Sequence, residues 1–101
     1  MRDRIDFDQV RIASQRNALA ICQRVIPGGR VVGGEYEVRN PKRPDRTPGS
    51  FRVNLRTGRW ADFATPSDRG GDLISLVAYL FDISQLEAAR RLSSLLSLSS
   101  E

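Results

Sequence analysis

No histidine occurs in this sequence, and Cys22 is its one cysteine. The first absence excludes a Ser-His-Asp or Cys-His catalytic site. The two together leave no nitrogen–sulfur zinc site within one chain. A lone cysteine also excludes an internal disulfide, which suits a reducing cytoplasm. Neither a GxxxxGK[ST] nor a GxGxxG phosphate-binding pattern is present. No apolar run reaches the roughly 18–20 residues that a membrane span requires. The opening residues, MRDRIDFDQV, lack the apolar stretch of a signal peptide. A cytoplasmic location without membrane contact is therefore expected. Cys22 lies within the apolar helical pattern ALAICQRVI and reads as a small core residue.

Lysine is nearly absent as well: of sixteen cations only Lys42 is lysine. Arginine suits bidentate phosphate contact and stacking on bases, although a GC-rich coding bias yields the same preference. The net charge is +4 and the pI is about 10.2. The excess is concentrated. From Arg39 to Arg69 there are eight cations (Arg39, Lys42, Arg43, Arg46, Arg52, Arg56, Arg59 and Arg69) against Asp45, Asp62 and Asp68, a surplus of +5. Concentrated positive charge favours an anionic partner, most often a nucleic-acid backbone.

At 101 residues the chain is expected to form one domain, 1–101. Residues 6–26 read as a helix capped by Asp6 or Asp8, with Phe7, Val10, Ser14, Ala18, Ile21 and Val25 on one stripe and Pro27-Gly28-Gly29 at its end. Residues 30–65 read as strands and a basic loop. Val31-Val32 and the alternating Tyr36 and Val38 flank a Gly33-Gly34 turn. Pro41, Pro44 and Pro48 exclude a central strand or helix over 40–49 and stiffen a loop that carries Lys42, Arg43 and Arg46. Phe51, Val53 and Leu55 alternate with Arg52, Asn54 and Arg56, Thr57-Gly58 turns, and the second strand returns over 59–63. A tight turn there sets Leu55 opposite Trp60 and exposes Arg52, Arg56 and Arg59. Residues 72–96 read as two helices. The first is the apolar run DLISLVAYLF behind an Asp72 cap. The second follows the capping-box pattern Ser84-Gln85-Leu86-Glu87 and has Leu86, Ala89, Leu92 and Leu96 inward.

The order Asn40-Pro41-Lys42-Arg43, Pro48-Gly49-Ser50-Phe51, Asp62-Phe63-Ala64-Thr65 and Gly70-Gly71-Asp72-Leu73-Ile74, closing on Glu87-Ala88-Ala89, resembles the zinc-binding domain of bacterial and phage DNA primases. That family sets a Cys-Pro-x-His before a Pro-Ser-Phe, then a hairpin, a Cys-x-x-Cys, and a Gly-Gly-Asp that opens an apolar helix. The resemblance covers about residues 30–96. It implies an α+β fold: a small antiparallel sheet with a central β-hairpin, zinc-ribbon-like, with one N-terminal and two C-terminal helices. The four positions that correspond to metal ligands are Asn40, Arg43, Asp62 and Thr65. Arginine stays protonated and cannot ligate a cation, so no metal and no cofactor is expected. Two replacements are open. In one, Arg43 approaches Asp62, with Asn40 and Thr65 hydrogen-bonding nearby. In the other, all four are solvated and the helical core suffices.

The resemblance implies a template-binding module without catalysis, since a separate polymerase domain does not fit in this length. Its partner would be single-stranded DNA, with RNA as the alternative strand, beside a helicase or primase subunit. The setting would be DNA replication in a phage or mobile element, with the chain free-standing or part of a longer primase-helicase. Arg39, Lys42, Arg43, Arg46, Arg52, Arg56 and Arg59 are expected to meet phosphates, joined by Arg69 beside Gly70-Gly71. Trp60 or Phe63 would stack a base, and Trp60 also reads as core. A protein–protein interaction module of a replication or mobile-element complex is the alternative. Asp62, Asp68 and Asp72 lie close enough in sequence to suggest a magnesium site, but in such a segment they read as caps and turn formers.

Overall fold

The computed structural model describes residues 5–42 and 50–96. Asp6 starts the first helix, its Oδ1 accepting the Gln9 N–H at 3.1 Å. The expected single N-terminal helix is two: α1, Phe7–Arg16, and α2, Ala18–Val25. Asn17 causes the break. Its side-chain amide donates to the Ala13 carbonyl at 2.8 Å, the oxygen its own N–H would take in a continuous helix. That N–H goes to Ser14 O instead, a side-chain competition typical of asparagine. Val10, Ser14, Ala18, Ile21 and Cys22 are buried, whereas Phe7, expected on the same stripe, is exposed. Burial pushes the Cys22 thiol up to about 12, which leaves it a core side chain and no nucleophile.

Five strands follow in an antiparallel meander, β1-β2-β3-β4-β5: β1 Arg30–Val32, β2 Glu35–Val38, β3 Phe51–Asn54, β4 Trp60–Asp62 and β5 Arg69–Gly70. Gly33 and Gly34 close the first hairpin at φ +57° and +82°, the positive values a two-residue turn of this kind requires. The central hairpin differs from its expected register. Val53, not Leu55, faces Trp60. Asn54 peels the chain out of the sheet early: its Oδ1 accepts the N–H groups of Arg56 and Thr57 at 2.9 and 3.0 Å, and its carbonyl accepts that of Gly58. Arg56 and Leu55 thus lie in the turn. The short β5, outside the expected 30–65 strand region, adds to β4 through Trp60↔Gly70 and Ala61↔Arg69.

Two helices close the fold: α3, Leu73–Phe81, and α4, Gln85–Leu95. Asp72 caps α3 through Ser75 N at 2.8 Å, and Ser84 caps α4 through Glu87 N at 3.0 Å. Glu87, the expected reciprocal member of the box, pairs with Arg90 and Arg91. Asp82 ends α3 in the left-handed region at φ 55°. On α4 the inward residues are Ala88, Ala89 and Leu92, while Leu86 is exposed. The architecture is α+β, with four helices and a five-stranded antiparallel sheet among the described residues. The core joins Tyr36, Val38, Phe51, Val53 and Trp60 on one sheet face to Ile21, Leu73, Leu76 and Leu92 of the helices. The Tyr36 hydroxyl fastens the end of α2, donating to Ile26 O at 2.8 Å and accepting from Gly29 N at 3.0 Å. Among the described residues no helix is long and apolar enough to cross a membrane.

Candidate nucleic-acid interface

Strand alternation sends every second side chain of the sheet away from the helices. The register aligns one such row across all five strands: Arg30, Glu37, Arg52, Ala61 and Arg69. Ala61 is the small member, so it floors a trough between Arg52 and Arg69. Arg59 and the exposed ring of Phe63 complete a groove of about 230 Å³, with Glu35 on its rim. Phe63 is 64% exposed, and the Arg52 guanidinium lies over it at 5.3 Å from the ring centre. Arg52 also faces two carboxylates, Glu37 Oε2 at 3.5 Å and Glu35 Oε1 at 3.8 Å. Arg30 reaches Glu37 at 3.9 Å. Among the described residues no ion pair engages Arg59 or Arg69. The face thus sets four arginines against two glutamates and offers the exposed Phe63 ring, with Arg52 over it, near Arg59 and Arg69, which have no ion-pair partner among the described residues.

The expected cations therefore separate. Arg52, Arg59 and Arg69 come together on the outer sheet face. Arg56 sits in the β3–β4 turn, whose Arg56 carbonyl is held by the Gln15 side chain of α1, and it does not line the groove. Arg39 lines a second concavity with Arg30, Pro27 and Pro41. Lys42 turns inward, pairing with Asp82 and lying over the Tyr79 ring at 5.1 Å. Arg43 and Arg46 lie outside the described residues. Of the two readings of Trp60, the structure favours core: only 5% exposed, it packs beside Phe51 and Tyr79 and donates to Ser75 Oγ at 3.0 Å. It is a core residue, and Phe63 is the ring presented to solvent. Arg30, which sequence reasoning did not select, joins the face because Gly33-Gly34 leaves a two-residue loop. That loop length places Arg30 opposite Glu37.

On the opposite face of the sheet, toward α3, three of the four positions that resemble metal ligands, Asn40, Asp62 and Thr65, belong to one hydrogen-bonded network. Asn40 and Asp62 are buried, at 1% and 0% exposure. The Asn40 amide donates to Asp62 Oδ2 at 2.9 Å and to the Tyr79 hydroxyl at 2.7 Å. Its oxygen accepts the Lys42 N–H at 2.9 Å, so both donors and the oxygen of that amide are engaged. Asp62 Oδ1 accepts Ala64 N at 2.8 Å, and Tyr79 donates onward to Asp68 Oδ2 at 2.8 Å. The Asp62 carbonyl takes the N–H of Thr65, whose own carbonyl takes that of Asp68. This donor set does not fit a zinc ion: a fully engaged amide and one carboxylate, with no sulfur or imidazole, stand where ligands would have to be. No group of three or more metal-ligating side chains exists among the described residues. Arg43, the other half of the expected pair with Asp62, lies outside the described residues. Among the described residues, Asn40 Nδ2 and Ala64 N both donate to the carboxylate. Tyr79 was missed by sequence reasoning. Its signal was the one hydroxyl-bearing ring in an otherwise apolar run.

Burial, chiefly, pushes the Tyr79 hydroxyl above its ordinary value of 10.0. The bond to Asp68 and the charges of Asp68 and Asp62 act the same way, while the Asn40 donor opposes them. The folded state therefore favours the neutral phenol. Its stabilising contribution is complete below the ordinary value and is lost as pH rises through the folded one. In urea titrations the gap in midpoint between the native chain and Tyr79→Phe should hold up to about pH 9 and shrink above about pH 10. A gap that stays constant through that range would exclude Tyr79 as the titrating group.

One solved structure shares this arrangement of elements. The chain superposes on the crystal structure of the Aquifex aeolicus primase (zinc-binding and RNA polymerase domains) with a TM-score of 0.72 and 27% sequence identity, covering 93% of this chain and 22% of that one. The chain thus spans about a fifth of that primase chain's length. No family model matches the chain, and no curated protein sequence matches it. The structural relation is primase-like, over nearly the whole of the chain.

Proposed function

We propose that this chain is a non-catalytic nucleic-acid-binding module, related to the template-binding part of a primase, that holds single-stranded DNA across the outer face of its sheet. One observation carries the reading: Arg52, Arg59 and Arg69 flank the exposed Phe63 in one trough. Single strands are held by tracks of cations beside a ring on which a base stacks, and every base has a face to offer. A duplex buries those faces, so a ring that remains 64% exposed beside Arg52 favours an unpaired strand. The likeness to a structure containing primase zinc-binding and RNA polymerase domains supports the same role. By the same reading its partner is a primase or helicase component of a replication complex in the cytoplasm. Glu35 and Glu37 hold Arg52 in place before the strand arrives, which lowers the ordering cost of binding.

The test is fluorescence anisotropy with labelled single-stranded DNA, duplex DNA and single-stranded RNA at low and moderate salt. Single-stranded DNA should bind most tightly. Phe63→Ala should weaken it by about 1–3 kcal/mol. Arg59→Ala and Arg69→Ala should each lower the log–log salt slope by about 0.7, the value for one phosphate on a single strand. Equal affinity for duplex and single strand, or a Phe63→Ala variant that binds as the native chain does, would remove the stacking role. RNA bound as tightly as DNA would shift the assignment to RNA.

A further inference from the structure

We infer that the groove between α2, α3 and α4 docks an acidic amphipathic helix from a partner protein. Its floor is Val25, Val77, Phe81 and Leu95, and its rims carry Arg24 and Arg91. The volume is about 270 Å³, below the ~300–1,000 Å³ of small-molecule sites and suited to a few aliphatic side chains. A second observation comes from α3. Eight of its nine residues, LISLVAYLF, are apolar or aromatic, the composition of a helix covered on every side. The sheet and α1, α2 and α4 cover most of it, yet Phe81 remains 46% exposed on the groove floor. Among the described residues nothing covers that side of α3.

Charge selects the occupant. Among the described residues no ion pair engages Arg24. Arg91 holds only Glu87 on its own helix, at 3.2 Å and largely exposed, a pair weak enough to rearrange. A second copy seated on the same groove would bring two further arginines against these two. A helix with leucines along one side and glutamates along its edges fills the floor and meets both rims. The groove lines up with no residue of the Arg52–Phe63 trough, so nucleic acid and partner need not compete.

The experiment is ¹⁵N chemical-shift mapping on the full chain with three synthetic helical peptides of about 15 residues. One has a leucine stripe flanked by glutamates, one carries lysine at each glutamate, and one carries serine at each leucine. The Leu/Glu peptide should perturb the amides of Val77, Phe81 and Leu95 and bind at least ~10-fold more tightly than the other two. Phe81→Ser should abolish that binding, and because Phe81 is exposed the fold should survive. Arg24→Glu combined with Arg91→Glu should transfer the preference to the Leu/Lys peptide. Absence of perturbation at millimolar peptide, perturbation confined to the sheet face, or unchanged affinity in Phe81→Ser would overturn the inference. Concentration-dependent dimerisation through the same amides would assign the groove to a second copy instead.

Discussion

Asp62→Ala should lower stability by about 3 kcal/mol, since each buried polar group left without a partner costs about 1–3 kcal/mol. For a domain of this size that is a fall in melting temperature of roughly 12–20 °C. The substitution leaves Asn40 Nδ2 facing an alanine at a position with 0% exposure and removes the acceptor of Ala64 N. Asn40 cannot turn away, because its oxygen is held by Lys42 N and its other N–H by Tyr79. Asn40→Ala should cost a comparable amount by removing the buried N–H groups that Asp62 Oδ2 and the Tyr79 hydroxyl accept. The double variant should cost clearly less than the sum, as expected for residues of one network. Thermal melts of the four proteins decide it. Strict additivity, or an Asp62→Ala melt within about 2 °C of the native chain, would mean that the network does not hold loop and hairpin together.

This network bears on how a fold similar to that of a primase with a zinc-binding domain is held together by residues that do not fit a zinc ion. A structural zinc ion contributes folding energy directly. Here Asn40 before the proline loop, Asp62 at the end of β4, Asp68 before β5 and Tyr79 on α3 are joined by hydrogen bonds at 2.7–2.9 Å. The link therefore reaches the helix layer, which a four-ligand ion between two loops would not require. The aromatic cluster of Phe51, Trp60 and Tyr79, with ring centres 4.8–6.0 Å apart, seals it from one side.

Most elements were legible in the sequence because local chemistry decides them. Asp72, Ser84 and Gly33-Gly34 signal caps and a turn by residue type alone, and each does what its type implies. The misreadings arose where a side chain competes with the backbone. Asn17 divides the N-terminal helix, and Asn54 ends β3 before Leu55. Both are asparagines that capture neighbouring backbone groups, an outcome that periodicity does not reveal. At the candidate interface, sequence located the cations but not their partners. Whether Arg52 meets solvent or carboxylates depends on the β2–β3 register, which brings Glu37 opposite it and is a long-range property. For Trp60 the sequence left base stacking and core both open, and its place opposite Val53 and Gly70 makes it core.

Gly70→Ala should destabilise the fold by about 2–3 kcal/mol, in the range of overpacked cores, whereas Gly71→Ala should leave the melt nearly unchanged. The two glycines are neighbours, and both read in the sequence as a turn before the Asp72 cap. Their surroundings differ. A Cβ on Gly70 would lie 2.5 Å from Trp60 Nε1 and 2.7 Å from Cε2, and would also strike Ser75 Oγ, while one on Gly71 meets nothing within 4 Å. Gly70 stands directly opposite Trp60 in the β4–β5 pair, and the indole N–H crosses it to reach Ser75 Oγ at 3.0 Å. Ser75 in turn donates to the Asp72 carbonyl at 2.8 Å, so the strand, the indole and the first turn of α3 share one contact. An added methyl must either lift β5 off β4 or drive the indole from its bond. Either movement should red-shift Trp60 emission and weaken the near-ultraviolet circular dichroism at ambient temperature, before any loss of helix. Equal melts for the two variants would show that β5 has room to move, and would make Gly70 a turn residue with no part in seating the indole.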